Sequence, residues 1–525
     1  MRLYKYLFAT VLSAIATTVT IAQTVTEAIA QTVAEEDSVL IQPKREFRAV
    51  WIATVSNLDW PQNARATAEL QKRDLLNQLN SHQQTGINAI MFQVRPAADA
   101  FYAKSREPWS KYLTGKQGDA PDYDPLEFAI DEAHKRNMEL HAWFNPYRAT
   151  FDGKFNLLSA DHITRTKPEW FFIYEGIKLF NPGIPEVREY IVQVVLDVVK
   201  NYDVDGIHMD DYFYPYPVRG QVINDADAFA EYGAGFSNVK DWRRDNVDKL
   251  IHMLADSIHK YKPTMKFGIS PFGIWANKSQ HPDGSNTHGG SSYIENFADT
   301  RKWMKEGWID YISPQIYWQI GNRAAAFDTL LDWWSNNTYN RHLYVGLAPY
   351  RFYEARSPAF KNPSEIPNQL RLMRDNPRVQ GGIYFRSQTL VANANHLADT
   401  LKQDFYQFPA LPPPMLWRDS VPPNAPQNFI ARAERKNIVL KWSMPLPAAD
   451  SEPVYGYVVY RFTEGQAFDL GDPENILHIQ YNTEPVYVDT NVQPGKTYFY
   501  VVTALDRMKN ESERTPTVAV SLPAL

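Results

Sequence analysis

Residues 205–217 read DGIHMDDYFYPYP. A short apolar run, Gly206 to Met209, ends on two adjacent acids, Asp210 and Asp211, and the chain then breaks into a loop of aromatics and prolines. Amphipathic stretches lie on either side, 186–201 before it and 239–261 after it. A brief buried strand between two helices is the repeating unit of a parallel sheet.

Working outward, the same unit recurs. Strands are predicted at FRAVWIATV (47–55), INAIMFQV (87–94), MELHAWFN (138–145), DGIHMDD (205–211), MKFGISP (265–271), IDYISPQIY (309–317), HLYVGLAPY (342–350) and GGIYFRS (381–387). Helices are predicted over 67–85, 125–136, 186–201, 239–261, 292–305, 324–336, 364–375 and 390–403, one after each strand. Eight such units, with no GxGxxG after the first strand, predict an α/β fold of the (β/α)8 TIM-barrel type over 45–405 rather than an open doubly wound sheet. The proline-dense stretch 406–421 reads as a linker. Residues 422–525 alternate apolar and polar positions in short runs such as IVLKWSM and TYFYVVTAL, which predicts a small all-β sandwich.

In a barrel, catalytic groups gather at the C-terminal ends of the strands. Strand alternation puts His208 and Asp210 on one face, with Asp210 aimed into the mouth, whereas Asp205 and Gly206 belong to the opposite, stabilising rim. The same test selects Gln93 and Arg95, then His141, Trp143 and Asn145, then Ser313, Gln315 and Tyr317, then Tyr384 and Arg386. So many polar groups in a barrel interior need partners, either a polar ligand or a network among themselves. Aromatics collect at the same ends, among them Tyr147, Tyr212, Trp275, Tyr317 and Trp318. Mixed with amides, Arg and Asp, they suit a sugar, whose C–H faces stack on rings.

Glycoside hydrolysis usually takes two carboxyl groups. Besides the pair at 210–211, only Asp59 and Asp99 stand near strand ends, so the two neighbours are the candidate catalytic residues, Asp211 being freed from strand alternation by the turn. Adjacent pairs of this kind serve substrate-assisted cleavage, in which an acetamido oxygen is the nucleophile. A capping role for Asp211, with Asp210 acting alone, is the alternative. His134, His141, His162 and His208 do not form an HExxH-type motif, and no metal or other cofactor is expected.

The chain has 525 residues, a net charge of -6 and no cysteine. Disulfides, a cysteine nucleophile and a lipidated cysteine are thereby excluded. No basic run suits nucleic acid. The N-terminal stretch, with Arg2 and Lys5 followed by an apolar core from about Leu7 to Ala22, reads as a secretory signal over 1–30, with a disordered leader over 31–44. The expected location is therefore periplasmic or secreted, without a lipoprotein anchor and without a stable membrane span.

The motifs EFRAVWIATVSNLDWP, GINAIMFQVRPAADAFY, HAWFNPYR, LFNPGIPEVREYI, VDGIHMDDYFYPYP, ISPFGIW, DYISPQIYW, GLAPYR and GGIYFRSQ together resemble the glycosyl hydrolase-like family 10 proteins, over about Arg45 to Asp404. The resemblance implies an exported TIM-barrel hydrolase acting on bacterial cell-wall glycan, especially peptidoglycan strands stripped of peptides. It marks Arg48, Asp59, Gln93, Arg95, Asn145, Tyr147, Arg148, Asn181, Asp210, Asp211, Tyr212, Gln315, Tyr317 and Arg386 as site positions. Residues 422–525 resemble a fibronectin type III domain, which implies a spacer or partner-binding unit of unknown partner, dispensable for action on soluble glycan. A non-catalytic carbohydrate-binding barrel is the rival reading, favoured by the lack of a second, well-separated acid.

Overall fold

The computed structural model describes residues 42–523; the expected signal segment and residues 31–41 of the leader lie outside them. Eight parallel strands close into a barrel: β1 (Phe47–Ile52), β2 (Ala89–Arg95), β3 (Glu139–Phe144), β4 (Gly206–Met209), β5 (Lys266–Ile269), β6 (Tyr311–Ile312), β7 (His342–Leu347) and β8 (Gly381–Tyr384). Closure is made by β1 and β8, in register from Phe47 opposite Gly381 to Val50 opposite Tyr384. Each of the eight strands falls where its apolar run is, and the helices follow with local chemistry at their ends. Thr67, for example, caps helix Ala68–Thr85 by accepting the Leu70 N–H, and Gly86 ends that helix at φ 91°. The fifth predicted helix, 292–305, is instead two short ones, Ser292–Glu295 and Thr300–Lys305, and the eighth is a broken series over 387–405, kinked at Asn395. A two-stranded hairpin, Phe171–Phe180, is inserted between β3 and β4.

The barrel interior departs from the usual filling of Val, Ile and Leu. It carries a single file of hydrogen bonds from floor to mouth. Trp51 Nε1, which can only donate, points at His208 Nε2 (3.2 Å). That fixes the His208 proton on Nδ1, which faces Tyr311 Oη (3.0 Å). The Tyr311 hydroxyl then donates to His141 Nδ1 (2.9 Å), and His141 Nε2–H donates to Glu139 (3.3 Å). Burial holds both imidazoles neutral, lowering their basicity as this file requires. Two glycines make room for the rings. A Cβ on Gly206 would sit 2.6 Å from the His141 ring, and one on Gly268 would sit 2.2 Å from that of Tyr311.

At the floor Glu139 meets two buried cations, Lys266 of β5 (2.7 Å) and Lys509 (3.3 Å). Lys509 belongs to the C-terminal domain. That domain has a sheet of β9 (Gln427–Glu434), β10 (Asn437–Ser443) and β13 (Val486–Asp489) facing one of β11 (Gly456–Thr463), β12 (Ile476–Gln480), β14 (Thr497–Leu505) and β15 (Val518–Ser521). Ile438, Leu440, Trp442, Tyr457, Val459 and Tyr500 fill the space between the sheets. The turn after β14 reaches under the barrel: Met508 joins the barrel's core beside Phe47, Ala89 and Tyr344, and Arg507 pairs with Asp205 (3.0 Å).

Residues 406–421, expected as a linker, are not a free spacer. Leu411 makes a parallel bridge to Arg45, and Met415 is buried in the barrel core. Trp417 and Arg418 bond Asp310 at the foot of β6. The prolines here fix φ along a packed segment rather than hold two bodies apart. Among the described residues, no helix is long and apolar enough to cross a membrane.

Because Lys509 is wholly buried with Glu139, Lys509→Met is expected to lower unfolding stability by about 3 kcal/mol, whereas Lys436→Met on the exposed β9–β10 turn changes it by less than about 0.5 kcal/mol. Urea denaturation of the full chain measures both. A chain ended at residue 421 loses Arg507, Met508 and Lys509 together, and is expected to be recovered unfolded, against the sequence-based expectation that the C-terminal domain is dispensable.

Candidate active site

The C-terminal ends of the strands surround a cleft of about 410 Å3. Its acids, among the described residues, are Asp210 and Asp211. Both lie where β4 ends, and both are nearly buried, at 4 % and 7 % exposure. Asp210 continues the inward face of His208. Its Oδ2 accepts from Trp143 Nε1 (3.1 Å) and Asn145 Nδ2 (3.3 Å), and its Oδ1 from the Tyr212 N–H (3.3 Å). Asp211 turns away from the strand and accepts from the Tyr216 hydroxyl and the Gln315 amide.

Burial pushes the Asp210 carboxyl up to about 7, the negative charge of Asp211 adds to the shift, and Arg148 opposes it. Asp211 is also raised by burial, against the pull of Tyr216, Gln315 and Arg148. Burial and the neighbouring charge both favour the protonated form of Asp210, which makes it the candidate proton donor of the two near neutrality.

Arg148, Tyr212, Gln93, Gln315, Tyr317, Trp318 and Trp143 line the same cleft. Arg148 stacks its guanidinium over Tyr212, 4.1 Å from the ring centre. Gln93 accepts the N–H groups of Thr54 and Val55 (both 2.9 Å) and so sets the loop after β1. Tyr216, Phe272 and Tyr350, which belong to the aromatic strand ends expected from the sequence, also face the cleft, and Trp51, Phe151 and Phe385 add to the wall without having been expected there; Phe272 packs edge-on to both Tyr216 (5.9 Å) and Trp318 (5.5 Å). Arg351, the last residue of GLAPYR, lines it too and escaped the alternation test because it lies four residues beyond β7. Ser270, one residue past β5 on its inward face, was open to that test and was not selected.

Other expected site residues stand behind the cleft. Asn145 binds Asp210 through its amide while its Oδ1 accepts the Arg148 N–H (3.0 Å). Arg95 forms a buried bidentate pair with Glu107 (2.6 and 2.7 Å) and donates to the Asn145 and Pro146 carbonyls, bracing the backbone that carries Asn145. Asp59 accepts from the Ala53 and Gln388 N–H groups and from Arg386 (2.9 Å), which ties the loop after β1 to that after β8. Burial raises it to about 6. His208 is used up in the interior file, and Tyr147 is buried outside the cleft lining.

Several expected residues are not brought to the cleft; among them Ser313 is buried away from its lining, and Tyr384 lies on the outward face of β8, bonded to the Tyr406 hydroxyl (2.7 Å). Arg48 is on the outward face of β1, paired with Glu46 (2.7 Å) and stacked on Tyr406. Asn181 accepts the Gly183 N–H (3.0 Å) in a turn beside a different cavity. Trp275 donates to Asp299 (3.2 Å) and stacks on Trp333. Asp99 faces a neighbouring cavity of about 530 Å3 lined by Lys111, Lys154, Asp152 and Leu157, which shares Phe151 with the cleft. Burial raises Asp99 to about 7, yet Asp152, the other acid there, is paired with Lys111 (2.8 Å), so that cavity lacks a free partner carboxyl.

The model of the glycosyl hydrolase-like 10 family matches residues 46–361. Glycosyl hydrolase YngK of Bacillus subtilis (strain 168) is 44 % identical over 480 residues, spanning 90 % of this chain and 93 % of that protein. Glycosyl hydrolase DigH of Escherichia coli K12 is 38 % identical over 375 residues, spanning 66 % and 84 %. Among solved structures, the PgaB (BpsB) glycoside hydrolase domain from Bordetella bronchiseptica aligns at a TM-score of 0.46 and 12 % identity, covering 69 % of this chain and 99 % of that one.

If protonated Asp210 is needed for turnover, kcat/KM falls as pH rises through about 7. The Trp143 N–H stabilises the ionised form, so Trp143→Phe is expected to move this alkaline limb upward. An unmoved limb in a pH–rate profile would show that another group sets it.

Proposed function

This chain belongs to the glycosyl hydrolase-like 10 family and is a glycoside hydrolase, and from that premise we propose that it cleaves N-acetylated glycan of the bacterial cell wall, peptidoglycan strands above all, by a substrate-assisted retaining route. One observation carries the mechanism: the cleft offers two adjacent buried carboxyls and no acid facing them from across the cleft among the described residues. A conventional retaining or inverting pair flanks the scissile bond from two sides, about 5 Å or more apart, on separate elements. With both acids on one strand end, this reading takes the nucleophile from the substrate itself, as its acetamido oxygen.

In this reading Asp210, protonated near neutrality, gives its proton to the leaving glycosidic oxygen. Asp211, anchored by Tyr216 and Gln315, accepts the acetamide N–H, orients its carbonyl toward the anomeric carbon and offsets the positive charge that develops as the oxazolinium ring closes. Asp210, now ionised, takes a proton from the water that reopens the ring, and the anomeric configuration is retained. Trp318, Phe272, Tyr216, Tyr317 and Tyr350 supply ring faces for the pyranoses.

Two cations support a wall glycan over plain poly-N-acetylglucosamine. Arg148 and Arg351 both line the cleft, reaching it from the loops after β3 and β7. A stripped muramic acid presents a free lactyl carboxylate, which a guanidinium binds well. The N-terminal signal-like stretch and the lack of cysteine support export without a lipid anchor.

The roles separate on an activated substrate. On a dinitrophenyl N-acetylglucosaminide, whose leaving group needs no acid, Asp210→Asn is expected to keep most activity while Asp211→Asn loses at least ~100-fold. Both variants are expected to fail on glycan strands, and the reverse pattern on the activated substrate exchanges the two assignments. Hydrolysis of a de-N-acetylated strand at the parent rate would rule out substrate assistance. Arg351→Met is expected to lower kcat/KM on stripped peptidoglycan strands by about tenfold, with little change on chitooligosaccharides.

A further inference from the structure

Away from the cleft, three acids meet where the segment leaving the barrel passes the sandwich, and a fourth, Asp506, is close enough to act on them electrostatically. Asp419 follows the Trp417–Arg418 anchor, Asp450 and Glu452 lie in the loop between β10 and β11, and Asp506 is the first residue after β14. One carboxylate oxygen each from Asp419, Asp450 and Glu452 lies within 4.8 Å of the other two. A cluster of acids alone says little. Here the buried oxygens say more.

Asp506 is 2 % exposed. Its Oδ1 accepts the Asn510 N–H (2.8 Å), and its Oδ2 is buried with no hydrogen-bond partner. Asp419 is held likewise: Oδ1 accepts the Val421 N–H (2.9 Å), and Oδ2 is buried. Asp450 Oδ1 takes the Glu452 N–H (3.0 Å). Backbone donors thus pin one oxygen of each aspartate; the second oxygen of Asp506 remains, and the Asp419 carboxylate lies against that of Glu452, within hydrogen-bonding reach. These charges act on one another: burial, then Asp419, Asp506 and Asp450, push Glu452 up to about 8. Among the described residues none of the four acids has an ion pair, and Lys509, the cation that acts on Asp506, is committed to Glu139 (3.3 Å) and the Arg507 carbonyl (2.9 Å).

Two like charges about 4 Å apart at the edge of a protein repel by about 4 kcal/mol, and a buried oxygen without a partner costs about 1–3 kcal/mol more. A protein that retains both costs without compensation is badly placed; a divalent cation removes them together. We propose that Asp419, Asp450, Glu452 and Asp506 form a calcium site that fastens the outgoing segment to the sandwich. The donors are all oxygen, with no imidazole or thiolate, which selects a hard cation. They come from three separate loops, and such a set adapts to the irregular six- to eight-oxygen shell of calcium more readily than to the strict octahedron of magnesium. The site lies between two anchors of the barrel floor. Trp417 and Arg418, just before Asp419, hold Asp310, while Arg507 and Lys509, just after Asp506, hold Asp205 and Glu139. An ion here stiffens the seam between the two domains.

The test is calorimetric titration of the chelator-treated full chain with CaCl2, with thermal unfolding in parallel. One ion per chain, and an unfolding midpoint raised by about 5 °C at saturation, are expected. Asp450→Asn, at an exposed position that folding tolerates, is expected to weaken binding at least ~10-fold, and Asp506→Asn to abolish it. MgCl2 is expected to bind at least ~10-fold more weakly. No heat and no midpoint shift at millimolar CaCl2 would overturn the site, as would undiminished calcium binding in folded Asp450→Asn. Equal affinity for magnesium would overturn its identity as a calcium site.

Discussion

The file of hydrogen bonds from Glu139 through His141, Tyr311 and His208 to Trp51 is the constraint on which the barrel depends. Every link has one direction, because an indole can only donate and a carboxylate can only accept. The file needs a base at its foot, and the base needs cations. Lys266 supplies one from within the barrel, and Lys509 supplies the other from a separate domain. A barrel interior filled with Leu and Val would stand alone; one filled with polar rings requires its floor to be neutralised from outside. That requirement explains why the turn after β14 is inserted under the strands and why the proline-rich segment is packed rather than loose.

The same file divides the barrel's polar residues into two sets. His141 and His208 have both ring nitrogens occupied, His208 by Tyr311 below and by Trp51 and Ser270 above, so they are not offered to a ligand. Asp210, one step above His208 on the same face, is the first group whose partners are only indole, amide and backbone N–H. No cation is bonded to it, and burial therefore decides its protonation. Trp143 and Asn145 aim the carboxyl, and behind them Arg95 and Glu107 fix the backbone from which Asn145 reaches. The cleft is a polar floor walled by Trp51 and Trp143 from β1 and β3 and by rings from the loops after β3, β4, β5, β6, β7 and β8.

The strands and most helices were legible because each is a short apolar run with period two, or an amphipathic run with capping residues, and neither needs its neighbours to be recognised. Asp210, Asp211, Trp143, Gln315, Tyr317 and Trp318 were legible for the same reason: alternation along a strand, or the first turn beyond it, places them. The motif-based choices were less selective. Arg48 shares its stretch with the cleft residue Trp51 yet is on the outer face of the strand, and Asn181 lies in a turn beside another cavity, so motif membership carries no direction. Arg351 and Phe151 went unselected because loop residues obey no period, whereas Phe385 shares the inward face of Ile383 and was missed because alternation was read on the opposite face of that strand, that of Tyr384 and Arg386.

By itself, then, the sequence determined the eightfold strand-helix repeat, the end of the barrel at which chemistry gathers and the acid pair at its fourth strand, since all of these follow from local periodicity. Tertiary structure alone decided which polar groups answer one another and which are left for substrate. It also decided that the C-terminal domain is the barrel's floor. Lys509 and Glu139 are 370 residues apart in the chain, and nothing local in either announces the other; only burial at the same spot makes a partner obligatory.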